Sequence, residues 1–138
     1  MIKIIEGAKG TGKTKRIIDL STEVLGTCKG DIVFLSTTTR YRQEVKPQIK
    51  FVNAKEVGIN GKEMLFGFIK GVLAANYDVE YIFIDGVYKI MNVDIDSPEM
   101  AELFMLLDKL TADNHVNFVL TVSSAREELP AFIAKYLA

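Results

Sequence analysis

The chain has 138 residues, 49% of them hydrophobic and 25% charged, which fits a single domain over residues 1–138 with a core of its own. Its 17 basic and 18 acidic residues give a formal net charge of −1, so no strong overall field indicates nucleic acid or a membrane as a partner. No apolar run is long enough to span a bilayer, residues 1–6 are too charged for a signal peptide and Cys28 is the single cysteine, so we expect a cytoplasmic protein without a disulfide.

Apolar runs alternate with amphipathic stretches along the chain, a pattern typical of a parallel sheet covered by helices. The first half predicts a strand at 2–6, a helix at 13–25, a strand at 32–36 and a weaker strand at 49–53. The second half predicts a helix at 61–76, a strand at 81–85, a helix at 98–112, a strand at 116–122 and a short terminal helix within 126–137. We therefore predict a three-layer α/β sandwich with a mostly parallel sheet of four or five strands.

The segment after the first strand matches the pattern G-x-x-x-x-G-K-[ST] in full. Its residues are Gly7, Ala8, Lys9, Gly10, Thr11, Gly12, Lys13 and Thr14. The glycines let the backbone wrap an anion with its N–H groups inward, and the helix that follows directs its positive N-terminus to the same point. Lys13 then reaches the β- and γ-phosphates of a nucleotide, and the Thr14 hydroxyl binds Mg²⁺.

At this loop the chain resembles the P-loop NTPases, with GAKGTGKT in the place of their Walker A motif. It also resembles short P-loop ATP-binding proteins of Gram-positive bacteria. The resemblance implies a fold of the RecA-like type, with ATP and Mg²⁺ as ligands. The absence of an N-K-x-D guanine signature favours adenine over guanine.

The segment YIFID, residues 81–85, looks like the Walker B strand of these proteins. Four apolar residues carry the strand through the core, and Asp85 emerges at its carboxyl end, where ligands bind in open α/β sheets. The resemblance implies that Asp85 joins Thr14 in holding Mg²⁺, through water. Many ATPases of the additional-strand type carry a glutamate directly after this aspartate, but here the residue is Gly86, and Glu6 is a weak substitute for that glutamate.

The strand at 116–122 turns polar at its carboxyl end. In RecA-like ATPases the strand after Walker B ends in a residue that senses the γ-phosphate, and Thr121 or Ser123 matches that position. This polar end predicts that the last strand lies between the Walker A and Walker B strands. The resemblance therefore implies a catalytic set of Lys13, Asp85 and Thr121.

We expect a slow or partner-dependent ATPase, with a protein partner that the sequence does not identify. Two alternatives stay open: a nucleotide-dependent interaction module that does not hydrolyse ATP, which Gly86 favours, and a small-molecule or nucleoside kinase. The kinase is less favoured because the chain has only four arginines and no arginine-rich lid. Arg40 and Arg126 each follow a strand and are candidates for a phosphate contact. Candidates for stacking on a base are Tyr41, Tyr88 and Phe66.

The segment after the last predicted strand bears on whether the chain forms a homodimer. Pro130 makes the segment after the last clear strand a poor central strand, so we expect the Walker A strand to lie at the edge of the sheet. An apolar edge invites pairing unless it is covered. Residues 131–137 either fold back as cover or leave the edge to a second chain, and their own apolar surface favours the homodimer.

Overall fold

Five parallel strands form one sheet in the computed structural model, which describes residues 1–137. Ala138, the last residue of the predicted domain, lies outside the described residues. The strands are β1 (Ile2–Gly7), β2 (Asp31–Ser36), β3 (Lys50–Asn53), β4 (Val79–Ile84) and β5 (Asn117–Ser123). Their order across the sheet is β1-β5-β4-β2-β3, and every neighbouring pair is parallel. The predicted α/β fold is confirmed, and β5 lies between β1 and β4 as its polar end predicted.

Within residues 1–137, five α-helices accompany the sheet: α1 (Lys13–Leu25), α2 (Lys62–Ala75), α3 (Val87–Met91), α4 (Pro98–Asn114) and α5 (Ala131–Ala134). At the start of α4 the Ser97 hydroxyl accepts a hydrogen bond from the Met100 amide at 3.2 Å, the cap that a serine before proline predicts. The short helix α3 was not predicted, because five residues are too few to show a helical period. The terminal helix is also shorter than the predicted segment.

The helices divide the core into two layers, one on each face of the sheet. On one face α1 packs with the segment between β2 and β3, where Ile17 and Ile18 share a cluster with Val45 and Ile49. On the other face α2, α3 and α4 cover the larger cluster. Successive residues of β2 alternate between the two clusters, with Val33 and Leu35 in one and Phe34 in the other, as the pleat of a strand requires. Because all strands run the same way, their carboxyl ends meet along one rim.

The edge strand β1 is covered by the end of its own chain. The Ile4 amide donates to the Tyr136 carbonyl at 2.8 Å, and Leu137 forms a bridge with Ile4. Ile133 is fully buried, and the Tyr136 ring stacks on Phe104 with centroids 5.5 Å apart. This is the self-covering alternative. Of the apolar residues that favoured a homodimer, Ile133 is buried, and Phe132, Tyr136 and Leu137 are partly buried against the core of their own chain. The argument for a homodimer is weaker for that reason, and the homodimer itself stays a prediction.

The contact between Tyr136 and Asp108 predicts how stability depends on pH. The Tyr136 hydroxyl donates to the Asp108 carboxylate at 2.6–2.7 Å, and burial together with this carboxylate raises the pKa of Tyr136 to about 12. An unfolded tyrosine titrates near 10, so the neutral phenol stabilises the fold fully below about pH 10, and this contribution is lost as the pH rises towards 12. We expect Tyr136→Phe to lower the free energy of unfolding by about 1 kcal/mol at pH 8, with a smaller deficit above pH 10.

The measurement is urea unfolding across this pH range. Tyr77→Phe is the matched control, because Tyr77 is 91% exposed and its hydroxyl should not affect stability. A deficit of the same size at every pH would contradict the assignment to Asp108.

Candidate functional site

A cleft of about 1200 Å³ opens at the carboxyl ends of the strands. Its walls come from the loop after β1, the start of α1, the ends of β2, β4 and β5, and α3. This is the position where open α/β sheets bind their ligands. Side chains far apart in sequence therefore meet at one place because of the strand order.

The loop at residues 7–14 is folded around one carbonyl group. The Ala8 carbonyl accepts hydrogen bonds from the Thr11 amide at 3.2 Å, the Thr11 hydroxyl at 2.7 Å and the Lys13 ammonium at 3.0 Å. Gly10 and Gly12 have φ angles of 82° and 84°, a left-handed conformation that glycine adopts without steric cost. The motif spacing thus places glycine at the turns where the backbone reverses.

Helix α1 begins at this loop without a cap. In the described residues no side chain accepts a hydrogen bond at its start, and its first turn holds no acid. The first N–H groups and the partial positive charge of the helix are therefore not neutralised by the chain. An anion in the cleft would satisfy both.

Lys13 is the most buried cation of the cleft, with 9% of its surface exposed. Burial lowers the pKa of Lys13; the nearby charges of Lys89 and Arg16 lower it further, while Asp85 opposes them. The charged form is therefore held at a cost in the free protein. A second negative charge at this point would relieve that cost.

Asp85 joins the phosphate loop to the end of β5. Its carboxylate accepts hydrogen bonds from the Thr14 hydroxyl at 3.0 Å and from the Thr121 hydroxyl at 2.7 Å. The Thr121 hydroxyl in turn accepts from the Gly86 amide at 2.7 Å. One threonine from each side thus fixes the carboxylate, and the predicted catalytic set of Lys13, Asp85 and Thr121 lies within one cleft.

The oxygens of Thr14 and Asp85 fit Mg²⁺, which prefers hard oxygen ligands and keeps several waters. In residues 1–137 no group of three or more acidic, histidine or cysteine side chains is arranged to hold a metal. A metal ion here would depend on ligand oxygens and water for the rest of its coordination. That dependence is usual for magnesium bound together with phosphates.

Several other candidates lie elsewhere. Glu6 pairs with Arg126 at 3.2 Å, and neither belongs to the cleft walls. The expectations that Glu6 substitutes for a catalytic glutamate and that Arg126 contacts a phosphate are therefore not supported by their placement. Phe66 lies on α2, packs against the core and is also outside the cleft.

Three candidates do line the cleft: Arg40, Tyr41 and Tyr88. The Tyr88 hydroxyl shares a 2.7 Å hydrogen bond with Ser123, so it is engaged at the wall. Lys89 also lines the cleft, from the first turn of α3. The sequence analysis did not identify it as a candidate. The signal available was its position four residues after Asp85, but α3 itself was not predicted.

The fold of this chain is similar to that of solved structures. No family model matches the chain, nor does any curated protein. Among solved structures, the flagellar accessory protein FlaH from Methanocaldococcus jannaschii matches with a TM-score of 0.61 and 18% sequence identity, over 97% of this chain and 65% of that chain. The fold is RecA-like. This chain spans less than two-thirds of the length of the FlaH chain, and at this identity the likeness is one of fold. No helix in the described residues is long and apolar enough to cross a membrane.

The hydroxyl of Thr121 should carry a measurable part of the stability. It is 99% buried and bonds to both Asp85 and the Gly86 amide. Thr121→Val leaves the Gly86 amide without this partner and the Asp85 carboxylate with Thr14 alone, and we expect the free energy of unfolding to fall by about 1–3 kcal/mol. Thr121→Ser keeps the hydroxyl and should cost less. Urea unfolding of both variants provides the comparison, and a loss in Thr121→Ser as large as that in Thr121→Val would show that the hydroxyl contributes no more than the methyl group.

Proposed function

We propose that this chain binds Mg-ATP through residues 7–14 and hydrolyses it slowly, or only when a protein partner supplies a missing group. One observation carries the proposal above the others. Thr14 and Asp85 are 71 residues apart in sequence, yet their oxygens lie 3.0 Å from each other beside Lys13. A glycine-rich turn would not by itself bring a buried lysine, a hydroxyl and a carboxylate together.

Each residue of the site has a role that its surroundings support. The amides of the phosphate loop and the uncapped start of α1 bind the phosphate oxygens. Lys13 gives up its bond to the Ala8 carbonyl and contacts the β- and γ-phosphates. Thr14 and Asp85 would hold Mg²⁺ together with water. The metal, when bound, neutralises charge on the phosphates. Thr121 keeps Asp85 in place and senses the terminal phosphate.

The walls of the cleft support slow hydrolysis. Their acidic side chains in the described residues are Asp19, Glu44 and Asp85. Asp19 pairs with Lys15 at 2.7 Å, and Asp85 is held by two threonines. Neither of these two is free to polarise a water molecule at the terminal phosphate. Glu44 is exposed in the segment between β2 and β3, and Gly86 stands where a glutamate would polarise the water.

The same arrangement favours the second candidate, an interaction module whose partners depend on bound ATP and which does not hydrolyse it. The two candidates share the site and differ only in turnover. Phosphate release by the purified protein, alone and with candidate partners, separates them.

Replacing Lys13 should weaken nucleotide binding without destabilising the fold. We expect Lys13→Met to lose about 2–3 kcal/mol of affinity for Mg-ATP, roughly 30- to 150-fold, because a charged contact to phosphate is removed. The folded pKa of Lys13 lies below its unfolded value, so its charge destabilises the free protein at neutral pH. The variant should therefore be at least as stable as the wild type.

Isothermal titration with ATP, GTP and ADP measures the affinity, and urea unfolding measures the stability. Lys70→Met is the matched control, since Lys70 is exposed on α2 and outside the cleft. Equal ATP affinity in wild type and Lys13→Met would refute the proposal.

Turnover of the protein alone should lie well below the typical enzyme value of about 10 s⁻¹. A side chain at position 86 has room, because its Cβ would lie 3.6 Å from Lys89 and 3.8 Å from Thr37. However, the φ of Gly86 is 81°, which costs any other residue about 1–2 kcal/mol. Gly86→Ala bears that strain without a carboxylate, so it is the control for Gly86→Glu.

We expect Gly86→Glu to release phosphate faster than Gly86→Ala. Wild-type hydrolysis at tens of molecules per second would instead show that another group already activates the water.

A further inference from the structure

The cleft continues past the phosphate loop towards the far edge of the sheet. Thr37 and Thr38 follow β2, Lys55 follows β3, and all three line the same cleft as Asp85. Strand β3 lies two places from β4, the strand that Asp85 follows. At the usual strand spacing this separation is roughly 10 Å. A nucleotide held between residues 7–14 and Asp85 would leave this part of the cleft free.

The cleft collects positive charge well beyond what a phosphate loop supplies. Seven basic side chains line it against three acidic ones, although the whole chain has a net charge of −1. Within the described residues Lys15 pairs with Asp19, and six cleft cations make no ion pair: Lys9, Lys13, Arg40, Lys46, Lys55 and Lys89. By contrast Arg42, Lys62 and Arg126, outside the cleft, each pair with a carboxylate.

Two of the six unpaired cations belong to the phosphate loop. The other four form what we call the distal basic group: Arg40, Lys46, Lys55 and Lys89. They come from the β2–β3 segment, the residues after β3, and α3, so three separate parts of the chain deliver them to the same cleft. Lys89 is also close enough to Lys13 to lower its pKa. Glu44 is the acid that accompanies them at the cleft wall.

Hydroxyl groups lie in the same part of the cleft as the distal basic group. The Thr38 hydroxyl accepts from the Arg40 amide at 3.1 Å, which leaves its proton available to a ligand. The Thr37 hydroxyl makes no hydrogen bond within residues 1–137 and faces the turn at Gly86. Hydroxyl donors among lysine and arginine side chains match the oxygens of a phosphate group.

We propose that the distal basic group binds a second ligand, a small phosphate-bearing molecule, beside the terminal phosphate of the nucleotide. The inference deepens the proposed function, on which it rests for the identity of the first ligand. The volume of about 1200 Å³ exceeds the roughly 300–1,000 Å³ of a pocket for one small molecule. A nucleic acid would be recognised by an extended basic stripe on a basic domain, whereas this chain is slightly acidic and its unpaired cations converge in a recess.

The test uses inorganic pyrophosphate as the probe and the full chain saturated with Mg and the non-hydrolysable analogue AMP-PNP. We expect isothermal titration to show pyrophosphate binding while AMP-PNP remains bound. The double variant Arg40→Ala/Lys55→Ala should weaken pyrophosphate binding by more than about tenfold, since two charged contacts are lost, and change AMP-PNP affinity by less than about twofold. Both residues are exposed, so the substitutions should not disturb folding. Arg42→Ala is the control, because Arg42 is exposed, close in sequence and outside the cleft.

Three results would overturn the inference. Pyrophosphate could displace AMP-PNP, which would mean a single shared site. Its binding could be unchanged in Arg40→Ala/Lys55→Ala. A single-stranded oligonucleotide could bind more tightly than pyrophosphate through the same two residues, which would assign the surface to nucleic acid.

The variant Lys13→Met separates this inference from the proposed function. It should lose AMP-PNP and keep pyrophosphate. If the wild type fails to bind AMP-PNP, the proposed function is wrong, while pyrophosphate binding that depends on Arg40 and Lys55 would still support the second site.

Discussion

The hydrogen bonds of the Asp85 carboxylate hold the cleft together. They join three segments that the chain itself does not connect: the loop after β1 through Thr14, the end of β4, and the end of β5 through Thr121. Because β5 lies between β1 and β4, a hydroxyl at its carboxyl end is within reach of the carboxylate. The strand order and the chemistry of the site are therefore one constraint, and a different order would separate Lys13 from Asp85.

The backbone at Gly86 favours a residue without a side chain directly after Asp85. Its left-handed backbone lets α3 begin immediately after Asp85, and its amide donates to Thr121. Helix α3 then reaches the start of α2, where the Ile90 carbonyl accepts from the Gly61 amide at 2.8 Å. A residue with a side chain would strain this turn, so the chain combines a tightly fixed Asp85 with the absence of a neighbouring base.

The parts of the structure that depend on local pattern were predictable from the sequence. The bounds of α1 match because the motif fixes its start and the apolar period its length, and the polar end of β5 indicated its place in the sheet. The parts that depend on three-dimensional neighbours were not. Glu6 is adjacent to the phosphate loop in sequence, but Arg126, 120 residues away, holds it outside the cleft. Two members of the distal basic group, Arg40 and Lys46, belong to one basic segment of the sequence, but only the fold brings Lys55 and Lys89 to the same cleft.

The surplus of cations in the cleft also has a consequence for the energy landscape of the free protein. Like charges that converge at one rim repel one another. Burial lowers the pKa of Lys13, and the charges of Lys89 and Arg16 lower it further, although Asp85 opposes them. The unpaired cations of the open cleft therefore disfavour the free protein electrostatically. An anion bound in the cleft would offset this repulsion. At a free concentration of 100 times its dissociation constant, it would raise the free energy of unfolding by about 2.7 kcal/mol. The melting temperature of the protein should therefore depend on the concentration of such an anion as well as on the sequence.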